Sequence, residues 1–181
     1  GSRTVAFSNA LWIEREDFEE VPPKGFKRLT VGGDVRLRGA GIVRCDEVVK
    51  DADGNVIEVR CTLDPESRPG MEGANRKVKG TIHWVSARHA ATAEVRLFER
   101  LFTVPDPDVD EDGRTYRDYL NPASRKIVTG YVEPAAADAA PEQSFQFERL
   151  GYFVADRYDH RAGSPVFNRS VTLRDGAGKG G

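Results

Sequence analysis

Apolar and polar residues alternate with a period of two along much of the chain, most clearly in 43–50 and 56–63. That is the pattern of strands with one dry face and one wet face. In the second run Ile57, Val59, Cys61 and Leu63 fall on one side, and Glu58, Arg60 and Thr62 on the other. The runs are joined by Asp51-Ala52-Asp53-Gly54-Asn55, whose Asp53-Gly54 step supplies the positive φ of a tight turn, so the pair predicts a hairpin. The same pattern predicts strands at 28–31, 34–38, 77–85, 92–98, 127–132, 144–149, 152–155 and 166–173.

Turn-rich segments separate them: 64–75 with two prolines and two glycines, 105–113, and 134–141, an alanine-rich stretch bracketed by proline that also admits a short helix. Sustained helical periodicity is missing over any 15-residue window, so the pattern predicts an all-β sandwich or barrel arrangement. The turn segment near Pro105 is the expected boundary between two barrels. The glycine-rich tail Gly176–Gly181 is expected to fray.

A chain of 181 residues, 39% hydrophobic, can bury one sizeable core or two small ones. It contains no run of 18 apolar residues and no basic segment leading into an apolar one, so a soluble, cytoplasmic protein with no membrane contact is expected. Cys45 and Cys61 flank the hairpin turn, a spacing compatible with neighbouring strands. Two thiols in a chain of this size read as buried thiols of a reducing compartment rather than as a staple. The net charge is -2, so nucleic-acid binding is not announced globally. Locally, however, Lys24, Lys27, Arg28, Arg36, Arg38 and Arg44 accompany a single acid, Asp34, whereas 106–118 reverses the balance.

Three histidines, His83, His89 and His160, lack any metal-ligand spacing, and neither a phosphate loop nor a nucleophile elbow is present, so nothing supports a stand-alone enzyme. Arg36 and Arg38, two apart in a strand, project from one face. Paired guanidiniums can fork onto phosphate or a guanine edge, or stack on unpaired bases, although a solvated polar face fits the pattern better. Gln146 and Glu148 alternate with Phe145 and Phe147, and Arg149 follows. One face is therefore aromatic, and the other offers amide and carboxylate edges to a base. Two core phenylalanines with polar outward neighbours remain the plainer reading of this pattern.

Several segments stand out by their order and spacing: Leu11-Trp12-Ile13-Glu14-Arg15-Glu16-Asp17-Phe18, Phe26-Lys27-Arg28-Leu29, Val35-Arg36-Leu37-Arg38, Arg76-Lys77-Val78-Lys79-Gly80-Thr81-Ile82-His83-Trp84-Val85-Ser86, Arg100-Leu101-Phe102, Phe145-Gln146-Phe147-Glu148-Arg149, Gly151-Tyr152-Phe153 and Pro165-Val166-Phe167-Asn168-Arg169. Together they resemble the C-terminal region of glutaminyl-tRNA synthetases. The resemblance covers nearly the whole chain. The Ile-His-Trp-Val-Ser string is more like the glutamine enzymes than their glutamate-specific relatives.

The resemblance implies two β-barrels that hold an unstacked anticodon between them: 1–24 and 105–175 in a proximal barrel, incomplete at its N-terminal side, and 25–104 in a distal one. It implies that Arg28, beside Lys27, reads the 3′ guanosine of the anticodon. Arg36 and Arg38 match the pair around the first base, while Gln146 and Arg149, supported by Glu148, match the pocket of the middle uridine. The partners implied are the tRNA(Gln) anticodon loop and the catalytic domain of the same protein. ATP and magnesium belong to the parent ligase, with no cofactor in this portion, because the chain begins after the family's catalytic fold. Gly25 stands where the family often has a glutamine, and a threonine contact is replaced near Gly176. The alternatives are a glutamate-specific relative and a β-barrel protein-interaction module.

Overall fold

The structure, a computed structural model, describes residues 3–108 and 113–173. The glycine-rich tail and part of the acidic segment lie outside these residues. The chain divides into two compact units, Gly1–Arg88 and His89–Gly181.

The first unit is built from eight strands: β1 (Leu11–Trp12), β2 (Phe18–Glu19), β3 (Leu29–Thr30), β4 (Asp34–Leu37), β5 (Gly41–Lys50), β6 (Val56–Asp64), β7 (Thr81–Ile82) and β8 (Val85–Ser86). They pair as a four-stranded sheet in the order β6-β5-β4-β7 and two small sheets, β1-β8 and β2-β3. The expected hairpin is β5-β6. Gly54 adopts φ 84°, and the Asp51 carboxylate closes the turn by accepting from the N–H of Asp53 (3.0 Å) and of Asn55 (2.8 Å). The core beneath the sheet gathers Phe18, Leu29, Val35, Leu37, Val43, Cys45, Ile82 and Trp84.

Two irregularities alter the expected faces of this hairpin. Val49 pairs with Glu58 and Lys50 with Val56, which leaves Ile57 as the extra residue of a bulge. Ile57 is accordingly 65% exposed instead of sharing a dry face with Val59 and Leu63. Cys45 is buried as expected, but Cys61, on the edge strand, is exposed.

The second unit carries one five-stranded sheet of β9 (Ala91–Phe98), β10 (Arg125–Val132), β11 (Ser144–Phe147), β12 (Gly151–Ala155) and β13 (Val166–Val171), in the order β10-β9-β13-β12-β11. The alanine-rich stretch forms the short helix α1 (Pro134–Ala137), with proline at its first turn, where the lost N–H has no intrahelical partner anyway. A second core of Ala93, Val95, Val132, Ala136, Ala137, Phe153, Ala155 and Phe167 lies on one face of the sheet. On the other face Arg96 is tied to Glu94 (2.6 Å), Asp156 (3.3 Å) and Asp159 (2.7 Å), and the Asn168 amide donates to Asp156 (2.6 Å).

All-β architecture is therefore observed, while the ladders among the described residues run as open sheets. The seam differs from the one expected near Pro105. Residues 91–98 form a strand of the second unit, paired with both β10 and β13, and β1 and β2 are tied by β8 and β3 into the first. The expected strand 77–85 is also two short strands, β7 against β4 and β8 against β1.

Candidate nucleic-acid interface

In the first unit the expected residues cluster around a glycine. Lys27 is exposed and Arg28 half-buried, just before buried Leu29 opens β3. Their backbone runs against Gly80, where an added Cβ would overlap the Lys27 carbonyl oxygen. The carbonyl of Gly80 in turn accepts from the N–H of Arg36 (3.0 Å). Gly80, distant in sequence from both, thus lets its own stretch of chain lie against the backbone of the two basic segments 27–28 and 36–38.

The Arg28 guanidinium is held from below. Its Nε lies 3.2 Å from the Asp17 carboxylate, which is only 1% exposed, and its Nη1 donates to the Glu16 carbonyl (3.0 Å). A guanidinium carries five N–H donors, so this anchoring leaves donors on Nη1 and Nη2 for an incoming acceptor.

Arg36 is also engaged, donating from Nη2 to the Arg76 carbonyl (2.7 Å) and from Nη1 to the Ser67 carbonyl (3.4 Å). Ser67, fully buried, fixes that loop by accepting from the N–H of Ile42 (2.7 Å) and donating to the Asp64 carbonyl (2.6 Å). Arg38 lies one residue past β4 and is exposed. Its backbone is fixed on both sides: its N–H donates to the Ile82 carbonyl (3.0 Å), and its carbonyl accepts from Trp84 Nε1 (2.9 Å). The main-chain N–H groups of Arg36 and Arg38 both reach toward β7, as alternate residues of one extended segment do.

In the second unit β11 shows the expected two faces. Phe145 and Phe147 enter the core, Phe147 stacked on Phe153 with ring centroids 4.6 Å apart and edge-on to Phe167 at 5.3 Å. Gln146 points the other way and is exposed, directly across from Tyr152 on β12, which is 44% exposed. The strand ends at Phe147, two residues earlier than the alternation predicts, so Glu148 and Arg149 belong to the turn into β12. Arg149 there adopts φ 64°, the left-handed region that a side chain disfavours.

Three contributors were not legible from residue pattern: Asp17, Gly80 and Tyr152. Tyr152 could have been found from the hairpin register, which sets it opposite Gln146. Asp17 and Gly80 act through contacts remote in sequence. Among the described residues no group of three or more His, Cys, Asp or Glu could hold a metal ion. His160 is buried, with Nδ1 3.2 Å from the N–H of Val166. No helix among the described residues is long and apolar enough to cross a membrane.

Guanidinium and amide groups presented from strand ends and turns are the chemistry that the exposed edges of unpaired bases can accept. Residues 1–64 and 81–156 each match a family model described as tRNA synthetases class I (E and Q), anti-codon binding domain, and the chain belongs to this family. Among curated relatives it is 72% identical over 175 residues to the glutamine-tRNA ligase of Xanthomonas euvesicatoria pv. vesicatoria (strain 85-10), a match covering 97% of this chain and 30% of that protein. The glutamine-tRNA ligases of Xanthomonas axonopodis pv. citri (strain 306) and Xylella fastidiosa (strain M12) are 71% and 70% identical over the same shares. The chain thus spans 30% of the length of the curated relatives it matches.

Proposed function

We propose that this chain is the anticodon-reading portion of a cytoplasmic glutamine-tRNA ligase and binds the anticodon loop of tRNA(Gln). The observation that carries this reading is 72% identity to such a ligase across 97% of the chain, over both compact units. Lys27 and Arg28 meet the 3′ guanosine, Arg36 and Arg38 the first base, and Gln146 and Arg149 the middle uridine, with Glu148 in support. The chemistry suits this: a splayed loop exposes Watson–Crick edges, and amide and guanidinium groups satisfy them with directional hydrogen bonds. The engagement of Arg36 with two carbonyls fits a role in shaping the surface alongside contact with RNA.

In the whole protein, ligation of glutamine to the tRNA with ATP and magnesium would take place in the catalytic domain, and this portion would select the tRNA. The reading is tested by titrating the chain with a tRNA(Gln) anticodon stem-loop and with one altered at the middle base, at two salt concentrations. The expected result is a preference for the cognate loop, lost on Gln146→Ala, together with affinity that falls as salt rises. Binding that is indifferent to the base and to Arg28→Ala would overturn it.

A further inference from the structure

Cys45 and Cys61 are register partners on β5 and β6. The backbone decides which kind of pair they form. The N–H of Cys45 donates to the Gly33 carbonyl (3.2 Å), and its own carbonyl accepts from the N–H of Gly32 (2.8 Å). Both main-chain groups therefore point away from β6, and the cysteines face each other as a non-hydrogen-bonded pair. In a regular ladder this is the closer antiparallel spacing, with Cα atoms about 4.5 Å apart and side chains on one face; here the register shifts just after Cys45, where Glu47 pairs with Arg60 and Asp46 is the extra residue. Disulfides bridge Cα atoms about 4.4–6.8 Å apart, a range that covers both the closer antiparallel spacing and the wider one of about 5.5 Å.

The surroundings of the two sulfurs differ. Cys45 is 0% exposed within the first core, whereas Cys61 sits on the edge strand and is exposed. A reagent in solution meets Cys61 first, with Cys45 as its cross-strand neighbour, whose thiol donates to the Glu47 carbonyl (3.7 Å).

We propose that Cys45 and Cys61 form a reversible dithiol–disulfide couple, oxidised by a low-molecular-weight disulfide of the glutathione type. The Cys61 thiol loses its proton to solvent, and its thiolate attacks one sulfur of glutathione disulfide. The first glutathione leaves as thiolate and Cys61 carries the second. Cys45 then loses its proton and attacks the Cys61 sulfur, expelling the second glutathione and closing the cross-strand bond. The protein gives up two electrons and two protons, and one glutathione disulfide becomes two glutathione molecules. A disulfide reached from solvent at a sheet edge belongs to the labile, readily reduced class, which makes the couple reversible.

Protein packing around its sulfur, and then the neighbouring Cys45 thiol, push the Cys61 thiol up to about 12, and burial raises Cys45 as well. The thiolate is the nucleophile, so the first step is slow at pH 7 and about a hundredfold faster at pH 9.

The test incubates the whole chain with glutathione disulfide at pH 7 and pH 9 and follows intact mass, free thiols and a peptide map. Expected at pH 9 are loss of both thiols, release of two glutathione molecules per chain, a Cys45–Cys61 linked peptide, and full reversal by dithiothreitol. Cys45→Ser should stop at a stable glutathione adduct on Cys61, and Cys61→Ser should be inert. Because Cys45 lies in the core, the wild-type peptide map decides the question even if that variant fails to fold. A lasting glutathione adduct on the wild-type chain, a disulfide between two chains, or retention of both thiols at pH 9 would overturn the proposal.

Discussion

The Nε of Arg28 lies 3.2 Å from the carboxylate of Asp17, a residue only 1% exposed, so the arginine expected to meet a base is aimed from inside the protein. A rotamer-rich side chain loses entropy on binding unless it is held beforehand, and this contact holds it. Asp17→Ala should cost about 1–3 kcal/mol of stability, discounted from a fully buried pair because Arg28 remains a third exposed. Urea unfolding would measure it. Stem-loop affinity should fall in Asp17→Ala and Arg28→Ala alike, with the double variant no worse than Arg28→Ala.

Gly80 admits no side chain, because the Lys27 carbonyl occupies the place of its Cβ. Gly80→Ala must push the two segments apart, at about 1–3 kcal/mol. Thermal unfolding should register that loss, and amide chemical shifts should move at Lys27, Arg28 and Arg36 together. Undisturbed shifts at Arg36 would show that the segments are not coupled through the glycine.

Arg149 stands at φ 64° in the turn that closes β11-β12. Glycine tolerates that conformation without the Cβ cost, so Arg149→Gly should leave stability unchanged or raise it by up to about 1 kcal/mol. The same change should remove discrimination at the middle base. Opposite movement of melting temperature and stem-loop selectivity is the expected outcome.

Asp156 gathers the outer face of the second sheet. The Asn168 amide, then the N–H groups of Asp159 and Tyr158 and the Arg96 charge, hold its carboxyl below the usual carboxylate range against the opposing effect of burial. A depressed folded-state value means stability that is present above the unfolded value near 4 and lost as pH falls through the folded one. Asp156→Asn should therefore flatten the acid limb of the stability profile below about pH 4, measured by urea unfolding across pH.

The legible parts of this fold were those that depend on residues near one another in sequence. Each expected strand overlaps an observed one, and the β5-β6 hairpin followed from its Asp53-Gly54 turn. The two-residue strands β1 and β2 were invisible because such short pairings carry no periodicity and exist only through β8 and β3. Ile57 was misassigned because a bulge resets the alternation. At the candidate site, residue types marked Arg36, Arg38 and Gln146. The supports, Asp17 beneath Arg28 and Gly80 against Lys27, belong to tertiary contacts that no local pattern encodes.

The placement of β13 imposes an order on synthesis. Val166–Val171 lies in the middle of its sheet, parallel to β9 on one side and antiparallel to β12 on the other. Until those residues have left the ribosome, β10-β9 and β11-β12 are two separate hairpins, each with an open edge where the central strand belongs. The second unit therefore cannot fold progressively as it emerges. It waits for its late strand, and during that interval the nascent chain is at its most exposed to mispairing with another chain.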